Sequence, residues 1–223
     1  AMKALEMGKH VYCAKPLTRT IHEARMLTEA AARAGVATQM SVQSDASEGQ
    51  RLVREWIADG AIGPVQQVHI WSDRPIWPQG LDRPSDTPPV PEGIDWDLWL
   101  GPAPYRPYHP AYVPFKWRGW CDFGTGALGD MGCHSLAHVV KALDLGPPKC
   151  VYASSTRLYK ETFPSASVVN YEFPARGEKF AVKLTWYDGG LKPPRPDDLE
   201  DNRSLSSSGL IFTGDKGSML CGF

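Results

Sequence analysis

The sequence has almost no net charge, because 24 Lys and Arg residues face 25 Asp and Glu residues. The sequence therefore has no excess of positive charge of the kind that binds nucleic acid or an anionic membrane surface. No apolar run approaches the ~20 residues that span a bilayer, and no signal-peptide pattern opens the chain. We expect a soluble protein with no nucleic-acid or membrane partner, and both the cytoplasm and the periplasm remain open as its compartment.

The sequence also lacks the spacing of a disulfide or zinc framework. Its five cysteines are scattered without any C-x-x-C pair, which predicts reduced thiols. We identify no G-x-G-x-x-G nucleotide fingerprint anywhere in the chain. The opening residues A-M-K-A-L-E-M-G-K-H read as the last turns of a helix, so we expect the beginning to be a cut.

Hydrophobic periodicity predicts two units with a boundary near residue 62. Residues 1–62 alternate strand and helix, with a helix predicted at Ile21–Ala34, which indicates a partial Rossmann-like parallel unit. Residues 63–223 begin with a predicted strand at Val65–Trp71. One helix at 128–143 is then followed by a series of strands with hairpin-type connections, the last of them at Ser218–Cys221. That order predicts a mostly antiparallel open sheet with a helix packed on one face, so the fold class is α/β combined with α+β.

Residues 75–120 concentrate many of the 20 prolines and eight tryptophans of the chain. A long segment of this composition is ordered by side-chain packing instead of by strand pairing, and long loops are often functional. Two roles remain open: a rigid cover over the sheet, or a lining for a substrate. Trp117 and Trp120 are the residues that we expect at the rim of a binding cavity.

Three polar side chains stand where chemistry is expected. Lys15 follows a parallel-type strand, where ligands of open α/β sheets bind, although an ordinary exposed lysine is the alternative. Asp130 and His134 share one helix face, which suits a general acid/base unit, although a helix-start aspartate with a core histidine is the alternative. His138 extends that stripe to three metal-ligand types, but no fourth ligand is fixed, and we assign no metal.

The blocks K-A-L-E-M-G-K-H-V-Y-C-A-K-P-L and G-D-M-G-C-H resemble the Gfo/Idh/MocA family of NAD(P)-dependent oxidoreductases. The resemblance implies an N-terminal Rossmann domain, here a remnant at 1–62, and a C-terminal substrate and oligomerisation domain at 63–223. It implies Lys15, Asp130 and His134 as catalytic residues, with Lys15 and Pro16 contacting NAD or NADP. Trp117, Trp120 and His138 are the expected contacts to a sugar or polyol.

The sequence departs from the family pattern at Ala14, where the family has Glu, and at Ala137, where Asp is common. The first βαβ units and the last strands of the family also have no counterpart here. We therefore expect weak or absent cofactor binding in this chain, and homo-oligomers through the open sheet. The leading function is oxidation of a secondary alcohol of a sugar or cyclitol. The alternatives are a non-catalytic carbohydrate-binding or oligomerisation module, and a hydrolase or lyase, with or without a metal, that uses Asp130, His134 and His138.

Overall fold

A computed structural model describes the backbone of residues 1–223 and every side chain except that of residue 43. The chain forms two sheets, one of two strands and one of six. The helices are α1 (Met2–Glu6), α2 (Ile21–Ala34), α3 (Glu48–Ala58), α4 (Trp96–Leu100) and α5 (Gly126–Leu143). The strands are β1 (Val11–Ala14), β2 (Thr38–Ser41), β3 (Val65–Trp71), β4 (Cys150–Ser155), β5 (Ser167–Phe173), β6 (Val182–Tyr187), β7 (Gly209–Gly214) and β8 (Ser218–Cys221).

The small sheet pairs β1 and β2 in parallel, with α2 as the crossover. Local signals set the ends of α2. The Thr20 side chain accepts a hydrogen bond from the Glu23 backbone, and the Glu23 carboxylate returns one to the Thr20 N–H, which closes a capping box. Gly35 ends the helix in the left-handed conformation, at φ 61°. The predicted parallel unit is therefore confirmed.

The large sheet has the strand order β4-β5-β6-β3-β7-β8. All of its pairings are antiparallel except that of β3 with β6. The mostly antiparallel sheet is confirmed, but the prediction that β6 and β7 form a hairpin-type pair is wrong. The loop between β6 and β7 crosses β3, because β3 lies between these two strands in the sheet. The side chains of Val68 and Ile70 on β3 are completely buried.

The main core lies between this sheet and the helices α3 and α5. Val139 of α5 and Val53 of α3 join Leu184, Trp186 and Phe212 of the sheet in one buried cluster. Burying such side chains contributes about 1.5–3 kcal/mol each. Because α3 packs on this core, the packed unit crosses the predicted boundary at residue 62.

The proline- and tryptophan-rich segment forms a second, smaller core. Trp96, Tyr112 and Trp120 are its largest buried members. Arg106 is 2% exposed at its side chain, forms ion pairs with Asp122 and Glu161, and lies over aromatic rings. Apart from α4 and a 3-10 turn at Lys116–Gly119, this segment is irregular, as the composition predicted.

None of the helices in the described chain has the length and apolar character needed to cross a bilayer. The five cysteines form no disulfide with one another in the described chain.

Candidate active site

Lys15 and Asp130 form the centre of the site. The Lys15 Nζ donates hydrogen bonds to Asp130 Oδ1 at 3.0 Å and to the Asp130 backbone carbonyl at 2.9 Å. Their side chains are 22% and 13% exposed, so this ion pair is largely removed from water. An ammonium group has three N–H donors, and the third remains for a substrate oxygen. The prediction that Lys15 and Asp130 converge is therefore supported by a direct contact.

The backbone explains why these two residues meet. Lys15 follows β1 directly, so its side chain starts at the carboxyl end of a parallel strand. Asp130 lies in the second turn of α5, and it is buried. The first unit contributes the lysine and the second contributes the carboxylate, so the ion pair also joins the two.

His134 lies one helical turn after Asp130 on α5. Burial lowers the pKa of its imidazole, and the positive charge of Lys15 lowers it further, while Asp130 raises it. These effects place His134 within electrostatic reach of both partners. A lowered pKa keeps the imidazole neutral at pH 7, and a neutral imidazole is a proton acceptor.

Arg118 is a site residue that the sequence analysis missed. Its Nε lies 3.6 Å from Asp130 Oδ1, so one carboxylate faces two cations. The guanidinium stacks 4.4 Å from the ring centroids of both Phe115 and Trp117. Arg118 lies in the irregular W-R-G stretch, where no helical or strand periodicity predicts which way a side chain faces. Only the neighbouring tryptophans in the sequence indicated that this region is functional.

A cavity of about 690 Å³ opens beside Asp130, and we call it the reaction cavity. Lys15 and His134 are not part of its lining among the described residues, but Lys15 is hydrogen-bonded to Asp130, which is. The structure brings Pro16 and Trp117 to this cavity, as expected, but not Trp120 or His138. Its lining also includes Leu17, Thr18, Arg19, Trp117, Arg118, Phe123 and Asp130.

Trp120 is a correction to the sequence analysis. It is 0% exposed, and its Nε1 donates a hydrogen bond of 2.9 Å to the Ala111 carbonyl. Tyr112 packs edge-on against it at 4.8 Å. Its role is therefore to hold the aromatic core together, because a side chain with no exposed surface cannot contact a substrate.

His138 also lies apart from the cavity. It is 2% exposed, its Nε2 lies 3.2 Å from Ser44 Oγ, and its Nδ1 faces Asp45 at 3.7 Å. Asp130, His134 and His138 therefore do not converge as one ligand set. Among the described side chains, no group of three or more His, Cys, Asp or Glu residues is arranged to hold a metal ion.

The glycine-rich entry to α5 requires a second correction. Gly124, Gly126 and Gly129 do have G-x-G-x-x-G spacing, contrary to our assignment. The element directly before these glycines is the 3-10 turn at Lys116–Gly119, not a strand. Neighbouring protein atoms fill the space that a side chain at each of these glycines would occupy. A Cβ at Gly124 would meet the Arg118 backbone at 2.5 Å, and Gly126 has φ 65° beside the Phe163 ring. These glycines serve packing, so they form no pyrophosphate cradle.

The fit of these residues to a nicotinamide cofactor differs between its reacting nicotinamide ring and its pyrophosphate. Lys15 and Pro16 offer an amine and an apolar surface at a strand end, which suits the reacting end. At the start of α2 the Thr20 side chain accepts a hydrogen bond from the Glu23 N–H, and at the start of α3 the Ser47 side chain accepts one from the Gln50 N–H. Each of these caps satisfies one of the first N–H groups of its helix.

Asp130 lines the reaction cavity and pairs with Lys15, and His134 lies one helical turn away on α5. Residues 1–42 match the oxidoreductase family described as having an NAD-binding Rossmann fold, and residues 72–154 match its C-terminal alpha/beta domain. The chain belongs to the Gfo/Idh/MocA oxidoreductase family. The predicted family resemblance is thereby confirmed.

Individual relatives agree with this family. The chain is 39% identical over 157 residues to 1,5-anhydro-D-fructose reductase of Ensifer adhaerens, which covers 69% of this chain and 36% of that protein. An inositol dehydrogenase homologue of Azotobacter vinelandii, solved with NAD+, matches 97% of this chain and 46% of its own, with TM-score 0.62 and 19% identity.

An NAD-binding oxidoreductase of Klebsiella pneumoniae matches 98% of this chain and 49% of its own, with TM-score 0.60 and 22% identity. These two structures share the fold with this chain. The chain spans about a third of the curated relative and about half of the solved structures.

Proposed function

We propose that this chain carries the substrate and proton-transfer part of an NAD(P)-dependent oxidoreductase that acts on a secondary alcohol, or its ketone, in a sugar or cyclitol. The observation that supports it is the Lys15–Asp130 contact of 3.0 Å, formed across 115 residues, with His134 on the next turn. The names of two relatives, an anhydrofructose reductase and an inositol dehydrogenase homologue, support the substrate class.

The residues divide the work according to their charges. Neutral His134 accepts the proton of the substrate hydroxyl, because its lowered pKa leaves the ring nitrogen unprotonated. The third N–H of Lys15 hydrogen-bonds the same oxygen and stabilises the negative charge that develops on it. Asp130 orients the ammonium and balances its charge. NAD(P), when bound, accepts the hydride from the carbon.

The test uses myo-inositol with NAD+ and 1,5-anhydro-D-fructose with NADPH, with turnover followed by the reduced nicotinamide. We expect Lys15→Met and His134→Ala to lower kcat/KM by about 10²–10⁴-fold, the range of general acid–base catalysis. Lys9→Met is the matched control, because Lys9 is an exposed lysine in the same segment. Equal rates for Lys15→Met and Lys9→Met would remove Lys15 from the mechanism.

Because turnover depends on the cofactor, substrate binding is measured separately by saturation-transfer NMR. Binding of either probe to the wild-type chain, abolished by His134→Ala but retained in Lys9→Met, supports the site without any turnover. No binding and no turnover with either probe, or with related polyols, would contradict the proposed substrate class.

We further propose that the chain binds NAD(P) weakly. Ala14 supports this, since its methyl group cannot hydrogen-bond where the family has a carboxylate. The glycines at the start of α5 support it as well, because neighbouring protein atoms fill the space beside them. Fluorescence titration with NADH and NADPH tests it, and Ala14→Glu should tighten binding. Saturation of the wild-type chain in the low micromolar range would contradict the proposal.

We also propose that the chain forms homo-oligomers. All six residues of the outer strand β4 are exposed, with Val151 at 51% and Tyr152 at 54%. Apolar side chains on an uncovered strand favour association with another copy. Light scattering with Val151→Lys tests this, because the variant should dissociate. A wild-type monomer at tens of micromolar would overturn it.

A further inference from the structure

A second cavity adjoins the reaction cavity. It measures about 670 Å³, and we call it the aromatic cavity. The two cavities share Arg19, Glu23, Trp117 and Phe123 in their walls, so they are neighbours. Ligand pockets of about 300–1,000 Å³ hold drug-sized molecules, so either cavity alone is large enough for one sugar ring. The remaining residues of the aromatic cavity are Trp99, Leu100, Pro102, Ala103 and Asp122.

The wall of the aromatic cavity contains a pre-positioned indole. Trp99 stacks on Trp96 with ring centroids 4.7 Å apart and an interplanar angle of 11°. That contact covers one face of Trp99, and the Phe123 ring meets it edge-on at 5.0 Å. Trp99 is nevertheless only half-buried, and it forms part of the cavity wall. A rigid aromatic ring of this kind gives large contact area at little entropic cost.

Polar groups lie beside this indole at the junction of the two cavities. Glu23 Oε2 accepts from the backbone N–H groups of Arg19 and Thr20, which fixes the carboxylate in place. The Arg19 guanidinium donates to the Cys121 and Asp122 carbonyls, so it joins α2 to the proline- and tryptophan-rich segment. The negative charge of Glu23 and the positive charge of Arg19 offset each other, so the junction has oxygen acceptors and N–H donors but no strong excess of positive or negative potential. Such a lining suits the hydroxyl groups of a neutral ligand.

We propose that the aromatic cavity binds a second sugar ring, so that the full ligand is a neutral disaccharide or glycoside. The C–H face of a pyranose would stack on Trp99, while hydroxyl groups reach Glu23 and Asp122. The first ring would lie in the reaction cavity beside Asp130. This inference rests on the proposed function for the identity of the reacting ring, and on the Trp99 geometry for the second ring.

Binding measurements test the proposal without requiring turnover. The probes are glucose, cellobiose, maltose and lactose, titrated by saturation-transfer NMR and calorimetry against the full chain. We expect at least one disaccharide to bind more tightly than glucose, with saturation transfer to both of its rings. Trp99→Ala should weaken that disaccharide by roughly three- to tenfold, the range of one aromatic contact, and leave glucose unchanged. Leu98→Ala is the matched control, because Leu98 is 77% exposed on the same helix.

A second variant guards against misfolding of Trp99→Ala. Ala103→Trp adds a large side chain to the wall of the aromatic cavity and leaves Trp96 and Trp99 unchanged, and it should weaken disaccharide binding to the same extent. Equal binding of disaccharides by wild type, Trp99→Ala and Ala103→Trp would overturn the proposal, as would disaccharides no tighter than glucose. Loss of adenosine binding in Trp99→Ala, with disaccharides unaffected, would instead assign the indole to a nucleotide base. Disaccharide binding, together with neither binding nor turnover of myo-inositol, 1,5-anhydro-D-fructose or related polyols, would contradict the proposed function alone.

Discussion

Lys15 and Asp130 lie 115 residues apart in the sequence and 3.0 Å apart at Nζ and Oδ1. The contact joins the end of a parallel strand to the second turn of the longest helix. It therefore combines two roles, since it links the small sheet to the larger unit and holds an ammonium group beside a cavity. Separating these roles is the aim of the first prediction.

A double-mutant cycle measures how strongly the two residues are coupled. Lys15→Met and Asp130→Asn should each lower the free energy of unfolding, with an interaction term of about 1–3 kcal/mol, as for a shielded charged hydrogen bond. Urea denaturation provides the values, with Lys9→Met as the exposed control. Additive effects of the two substitutions would show that the ion pair contributes nothing to stability.

The pKa of His134 should respond in opposite directions to its two charged neighbours. Lys15→Met removes a positive charge, so the pKa should rise, and Asp130→Asn removes a negative charge, so it should fall. NMR titration of the imidazole C–H resonances measures both shifts. His22→Gln identifies the unrelated signal of an exposed histidine. A pKa unchanged in both variants would place His134 outside the influence of Lys15 and Asp130.

His138 should make stability depend on pH in the acidic range. Burial lowers its pKa from 6.5 to about 4, with Arg54, Lys141 and His134 acting in the same direction and Asp45 opposing. As the pH falls below about 6.5, His138 becomes protonated in the unfolded chain but stays neutral in the folded chain. The free energy of unfolding therefore declines until about pH 4, where the folded chain is protonated as well. His138→Gln, which retains a partner for Ser44, should lose less stability between about pH 7 and about pH 5. Urea denaturation at both pH values measures this, and an unchanged slope in the variant would contradict it.

Arg106 should be essential to the proline- and tryptophan-rich segment. Its side chain is 2% exposed and serves both Asp122 and Glu161, so Arg106→Met leaves two carboxylates without their shared partner. We expect a loss of about 3 kcal/mol or more in the free energy of unfolding. Arg83→Met is the control, since Arg83 bonds Glu161 from the surface and should cost about 1 kcal/mol or less. Similar losses for both variants would mean that burial of Arg106 adds nothing.

Local signals in the sequence predicted much of the fold. Helix α2 spans the predicted Ile21–Ala34, because a capping box and a glycine mark its ends within the sequence itself. The predicted limits of β3 and β8 also match those observed, since alternating burial and turn residues are local properties. The catalytic candidates Lys15, Asp130 and His134 came from motif resemblance, and the structure pairs Lys15 with Asp130.

Tertiary structure decided what local patterns cannot encode. Strand β3 lies between β6 and β7 although long segments separate them, because pairing depends on contacts between distant residues. Trp117 and Trp120 are three residues apart in similar surroundings, yet one lines a cavity and the other is completely buried. The 3-10 turn that ends at Gly119 and the packing of Tyr112 set that difference. Arg118 likewise became a site residue only when the fold brought Asp130 to within 3.6 Å of it.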